Sequence, residues 1–259
     1  MKIGISTSCL YPMHTEDAFR EIASHGVGLT EMFFNANCEL QVPFINQLKQ
    51  IKNEYGITVS SVHPTMSLAE SFMLFSNYDR RFCEGLEIYK RYGEIAAELG
   101  AKYVVMHGGK YNGTMDNFGY FERFAKVAET VQQNGATLLQ ENVAKFRAGS
   151  VETLTAMSDY LGDSVAFCLD VKQSIRGGYS PYTVLEKLGS KIKHLHLSDS
   201  NSQNDCMMPL KGEFDFKRFL QFATQCGYTG DAVIEVYRNA YDDSQELFDS
   251  YKQFLESIK

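Results

Sequence analysis

The chain has 259 residues, 44% hydrophobic and 22% charged, ordinary globular usage with enough apolar material for a full core, which excludes a disordered chain. Its net charge of −7 comes from interleaved acids and bases with no Lys/Arg-rich stretch, so nucleic acid is not an expected partner. MKIGIS at the start reads as a strand rather than a signal peptide, no apolar run approaches about 18 residues, and six scattered cysteines lack a C-x-x-C pair; the expectation is no membrane partner and a cytoplasmic setting.

Short apolar runs predict strands at 3–6, 29–34, 58–62, 103–106, 137–140, 165–169, 192–197 and 231–236, of the kind buried on both faces. Helical spacing between them predicts helices at 15–25, 44–55, 79–99, 118–134, 150–161, 180–188, 215–226 and 242–258. Gly26, Gly56, Gly100, Gly135, Gly162, Gly189 and Gly227 follow these helices where a C-terminal cap favours positive φ. Thr15 before Glu16 and Asp17, and Ser150 before Glu152, read as helix caps. Eight β–α units without a linker predict one (β/α)8 TIM barrel spanning 1–259. The segment after the first strand, SCLYPMH, lacks the G-x-G-x-x-G of an open dinucleotide-binding sheet.

In such a barrel the C-terminal strand ends converge on one mouth. Here they carry Glu31, His63, His107, Glu141, Asp170, His196 and Glu235. Any single acid there has a plain explanation as a cap for the next helix. Together, Glu141, Asp170, His196 and Glu235 come from four consecutive strands, and three carboxylates beside one imidazole repel unless a cation joins them. An oxygen-rich set with one nitrogen suits a single divalent ion, Mn²⁺ or Mg²⁺, with Co²⁺ and Zn²⁺ open.

The order and spacing of these residues resemble the xylose isomerase-like barrel superfamily, in particular the sugar phosphate isomerase/epimerase group related to ketose 3-epimerases, hydroxypyruvate isomerase and inosose dehydratase. The resemblance runs along the whole chain. It implies metal ligands at Glu141, at Asp170 of DVKQ, at His196 followed by Asp199, and at Glu235, with Gly212 and Asp215 of GEFDF shaping the turn into the seventh helix. The family's D-x-x-H histidine falls here on Gln173, which hydrogen-bonds a hydroxyl but does not serve as an acid or base at neutral pH.

The resemblance implies proton abstraction next to a carbonyl on a small carbohydrate, with Glu141 and Glu235 as the acid/base pair on opposite sides of the substrate. Epimerisation, aldose–ketose isomerisation and dehydration all remain open, as does a homodimer or homotetramer. His63, His107, Gln173, Glu31, Lys172 and Lys211 are candidate substrate-binding residues. Lys110, Lys172, Arg176, Lys211 and Arg238 fall in expected mouth-side loops and leave a phosphate or carboxylate on the substrate open. Segments 64–77 and 200–212 are long enough to act as lids. The rival readings are an inosose dehydratase-like lyase, an apurinic endonuclease-like zinc phosphodiesterase and a sugar-binding barrel without catalysis. Against the phosphodiesterase stand Gln173, the Asp215-Phe216-Lys217 that replaces a zinc-binding D-x-H, and the acidic chain.

Overall fold

A computed structural model describes residues 1–64, 67–110 and 115–259. Its strands are β1 (Ile3–Ser6), β2 (Leu29–Phe34), β3 (Thr58–Pro64), β4 (Tyr103–Met106), β5 (Thr137–Glu141), β6 (Ala166–Asp170), β7 (Ile192–Leu197) and β8 (Asp231–Ile234). All pair in parallel in chain order, and β8 closes on β1 to complete the barrel. Every residue of β1 and β6 is buried, because one strand face meets the barrel interior and the other meets the helices.

Side chains alternate along a strand, so residues two apart share a face. Val105, Leu139, Ala166 and Cys168 form a small apolar cluster separate from the main helix–strand core. Val105, Leu139 and Cys168 each lie two residues before a polar strand-end residue: His107, Glu141 and Asp170. The apolar layer is therefore the floor on which the polar layer stands. One-residue register shifts at Thr30/Glu31 and Phe167/Cys168 occur in two of the strands that deliver acids to the interior.

The surrounding helices are α1 (Thr15–Ser24), α2 (Val42–Tyr55), α3 (Ser67–Met73), α4 (Asp79–Leu99), α5 (Asn117–Gln133), α6 (Val151–Leu161), α7 (Val171–Arg176), α8 (Pro181–Leu188), α9 (Phe216–Gln225) and α10 (Ser244–Ser257). Gly56 closes α2 at φ 66° and Gly100 closes α4 at φ 72°, and the other five glycines expected to end helices also have positive φ. Ser150 caps α6 by accepting from the Thr153 N–H at 3.2 Å. Thr15 does not cap α1: it lies inside the helix, and its hydroxyl instead donates to Glu39 Oε1 at 3.0 Å, tying α1 to the chain beyond β2.

Two short helices occupy segments expected to be loops. In 64–77, where residues 65 and 66 lie outside the described set, α3 is anchored by the buried Glu70. Its carboxylate accepts from Tyr89 Oη at 2.5 Å and from the Gly108 N–H at 2.7 Å, just past β4. Helix α7 begins directly at the end of β6, where Asp170 Oδ1 accepts from the Gln173 N–H at 3.0 Å. The expected lid 200–212 is pinned: Asp199 and Met207 exchange backbone hydrogen bonds of 2.8 Å, and Met208 is buried.

Candidate active site

Glu141 ends β5 with Oε2 3.4 Å from His63 Nε2 and 3.2 Å from His107 Nε2. Asp170 ends β6, and Glu235 follows β8. Lys172, on the first turn of α7, places Nζ 2.8 Å from Asp170 Oδ2 and 2.9 Å from Glu235 Oε2. His196 on β7 points Nδ1 into this group, 3.3 Å from Glu235 Oε2, 3.8 Å from Glu141 Oε1 and 3.9 Å from Asp170 Oδ2. Its other nitrogen, Nε2, lies 3.2 Å from Glu31 Oε2. An ionised carboxylate only accepts, so Nε2 carries a proton and Nδ1 is left as the available ligand atom.

Glu31 is wholly buried beneath this layer. It accepts from Ser61 Oγ at 2.7 Å and Ser6 Oγ at 3.1 Å. His194 lies deeper still on the same strand face, with Nδ1 at 3.1 Å from the Asp231 carbonyl and Nε2 at 3.1 Å from Ser61 Oγ. Glu31 thus orients a histidine, rather than reaching the cavity as a substrate contact.

One potential ligand atom from each of Glu141, Asp170, His196 and Glu235 lies within 4.8 Å of all the others. Glu141 Oε2, Asp170 Oδ2 and His196 Nδ1 are buried without a hydrogen-bond partner. They are not isolated, since Asp170 Oδ2 faces the Lys172 ammonium and Glu141 Oε2 two imidazoles, but three carboxylates and an imidazole gathered this closely form a donor set that fits a cation. Three carboxylates face one ammonium here, with His107 and His196 adding positive charge when protonated, so an ion bound at His196 would take the place of a proton there. Two overlapping groups of possible ligands, His63–His107–Glu141 and Glu31–His194–His196, flank this one.

The electrostatics reflect the crowding. Burial opposes charge on Glu141, but His107, with His196 and His63, outweighs it and holds the carboxyl well below its usual range. Burial likewise opposes charge on Glu235, and Lys172 and His196 overcome it. Asp170 goes the other way, pushed up to about 6 by burial and by the Glu141 and Glu235 charges in spite of Lys172. His107 is raised to about 9: burial works against its proton, and the neighbouring Glu141 prevails.

The mouth is a cavity of about 650 Å³ lined by Glu141, Lys172, Glu235, His107, Phe146 and Tyr237 among others. The xylose isomerase-like TIM barrel family model matches residues 19–257. The chain belongs to that family. Fructoselysine 3-epimerase of Escherichia coli O157:H7 is 22% identical, over 91% of this chain and 90% of its own. The crystal structure of a D-tagatose 3-epimerase-like protein superposes with a TM-score of 0.81 at 22% identity, covering 100% of this chain and 98% of its own. That of an IOLI protein with a bound zinc atom gives 0.80 at 16% identity, covering 100% and 98%.

Within this xylose isomerase-like barrel the other candidates separate. His107, Gln173 and Lys172 line the cavity; His63 stands behind Glu141, 1% exposed. Gln173 Oε1 is taken by the Ala144 N–H at 3.2 Å. Lys211 is not among the residues lining the cavity and pairs with Glu246 at 3.5 Å on an exposed surface. Arg176 forks onto Asp205 at 2.5 and 2.8 Å and donates to Tyr237 Oη at 2.7 Å, and Arg238 donates to the carbonyls of Tyr241 and Asp242. Asp199 accepts from the backbone N–H groups of Ser200, Gly212 and Phe214, fixing the loop after β7. Gly212 is required there, because a Cβ would fall 2.5 Å from the Ser200 carbonyl oxygen and closer still to Asp199 Oδ1. Sequence reasoning passed over the aromatic lining, Tyr11, Phe33, Phe146 and Tyr237. Tyr237, two residues after Glu235, was the detectable one; Tyr11 and Phe146 lie in loops with no periodic pattern.

Proposed function

We propose that this barrel is a divalent-metal-dependent isomerase or epimerase of a small carbohydrate, moving a proton on carbon next to a carbonyl, with Glu141 and Glu235 as acid and base. The observation that carries the reading is the convergence of Glu141, Asp170, His196 and Glu235, one ligand atom of each within 4.8 Å of the others. The epimerase names borne by relatives of similar length support it, and the zinc-bound relative supports the metal.

These four residues would hold the ion, which when bound polarises a substrate carbonyl and makes the adjacent C–H more acidic. The rest falls to the chain. Glu141 and Glu235 both line the cavity, on strands three places apart around the ring. In the metal-free protein each is kept ionised by its own cation or imidazoles; acid–base exchange calls for one of them ionised and the other protonated. Removal by one, ionised, and delivery from the other, protonated, to the opposite face of the same carbon inverts it and exchanges their protonation states; return of the abstracted proton to the neighbouring carbon, with a proton shifted between the two oxygens, moves the carbonyl. The walls, Phe33, Val143, Phe146 and Val236, limit water around the reacting carbon.

The test is elemental analysis of untagged protein together with solvent-deuterium incorporation into a panel of keto sugars. One equivalent of divalent metal with exchange at carbon is expected. Two or three zinc ions without exchange would instead favour the phosphodiesterase, and no metal after reconstitution would favour a binding barrel.

A further inference from the structure

We propose that the outer part of the cavity is a second subsite, built to take the ring substituent of a keto-sugar glycoside, rather than open space above a free monosaccharide. This rests on the carbohydrate reading above and adds the class of substrate.

The first observation is where the positive charge goes. Among the described residues lining the cavity the Lys and Arg side chains are Lys172 and Arg238. Lys172 is paired with Asp170 and Glu235, and Arg238 is anchored on two backbone carbonyls at 2.8 and 2.9 Å, which leave its charge in place. Arg176, next to the rim at Tyr237, is spent on Asp205. Residues 65–66 and 111–114 carry no charged side chain by sequence. Lys172 and Arg176 are thus matched by acids, and apart from Arg238, the Glu141-paired His107 and the acids of the floor the lining is neutral.

The second observation is the layering. The reacting groups Glu141 and Glu235 occupy the floor, whereas Phe33 and Phe146 stand beside the histidines: the Phe33 ring is 4.9 Å from His63, and the Phe146 ring 6.0 Å from His107. Further out, Tyr11 and Tyr237 line the same cavity while remaining 59% and 49% exposed. Tyr237 is also held in place, its hydroxyl by Arg176 and its ring beside Lys172 Nζ at 5.4 Å. Large aromatic surfaces left wet and pre-positioned, continuous with a polar floor, suit a flat ring carried by the substrate. Ser8, Asn35 and Asn239 at the same rim offer neutral hydrogen bonds of the kind sugar hydroxyls use.

The experiment uses a matched pair, the methyl and phenyl glycosides of one keto-hexose, alongside the free ketose. Binding is read by calorimetry on the metal-loaded protein and chemistry by solvent deuterium. The phenyl glycoside should bind about tenfold more tightly than the methyl glycoside, and Tyr11→Ala and Tyr237→Ala should each shrink that ratio. Tyr237→Phe, which keeps the ring, should preserve it. Equal affinity for the pair overturns the subsite. So does dissociation of an oligomer in both alanine variants with the ratio intact, which would assign the rings to an interface between copies. A large phenyl-to-methyl ratio without deuterium exchange in any sugar would retain the subsite and overturn the catalytic reading on which it rests.

Discussion

Lys172 Nζ lies 2.9 Å from Glu235 Oε2, on a lysine side chain only 3% exposed. Burial opposes its charge, yet Asp170 and Glu235 hold it protonated, its pKa well above the ordinary range. Removing one partner of a buried pair leaves an uncompensated charge, at about 3–5 kcal/mol. Lys172→Met is therefore expected to lower the melting temperature of the metal-free protein, and metal should raise it more in the variant than in the wild type. Calorimetric melting with and without a chelator checks this, and an equal metal-induced rise in both proteins would remove Lys172 from the charge balance.

Metal affinity should rise with pH. In the metal-free protein Asp170 is pushed up to about 6, and His196 well above its usual value, since Cys168, Glu31 and Glu235 outweigh the effect of burial. Both groups must lose a proton to act as ligands, so protons compete with the ion and are released when it binds. Between pH 5 and pH 8, roughly the span of these shifts, the apparent affinity should climb steadily. Titration in two buffers of different ionisation enthalpy should show net proton release; proton uptake would contradict the assigned ligands.

Replacing either acid should stop proton transfer. Glu141→Gln and Glu235→Gln preserve shape but remove the basic oxygen, and general acid–base catalysis accounts for roughly a hundred- to ten-thousandfold in rate. Each variant should lose at least that much of its deuterium exchange, measured at saturating metal. Since both residues are also candidate ligands, metal content is to be determined on the same samples. A variant that keeps the metal and the wild-type exchange rate would exclude that residue as acid or base.

Gly212→Ala should loosen the loop after β7. The new methyl group would overlap Asp199 Oδ1 and the Ser200 carbonyl, where Asp199 gathers three backbone N–H groups. Overpacking at such a point costs about 1–3 kcal/mol. Urea denaturation should show a lower midpoint with unchanged slope, whereas an unchanged midpoint would mean that the loop has another arrangement open to it.

The barrel was legible in the sequence because two periodicities and the punctuation agreed. Strands buried on both faces appear as continuous apolar runs, and every predicted strand lies within two residues of an observed one. Helix-ending glycines carry a backbone requirement that a side chain would violate. The residues Glu141, Asp170, His196 and Glu235 could likewise be picked out, because each sits at a strand end and strand ends meet at one mouth.

Only the tertiary structure decided what those residues do to one another. Helices α3 and α7 are too short to show a period, and their positions depend on Glu70 reaching Tyr89 and Gly108, and Asp170 capping its own helix. Lys172 and Lys211 look alike in sequence, both lysines beyond a barrel strand. The first is buried between two acids and the second pairs with Glu246 in solvent, because a charge is fixed by the field at its folded position, which no local pattern encodes. The same holds for Tyr11, Phe33, Phe146 and Tyr237, drawn from four separate segments into one cavity wall. Local chemistry determines which element each residue enters, while the meeting of distant elements determines which residues share a site.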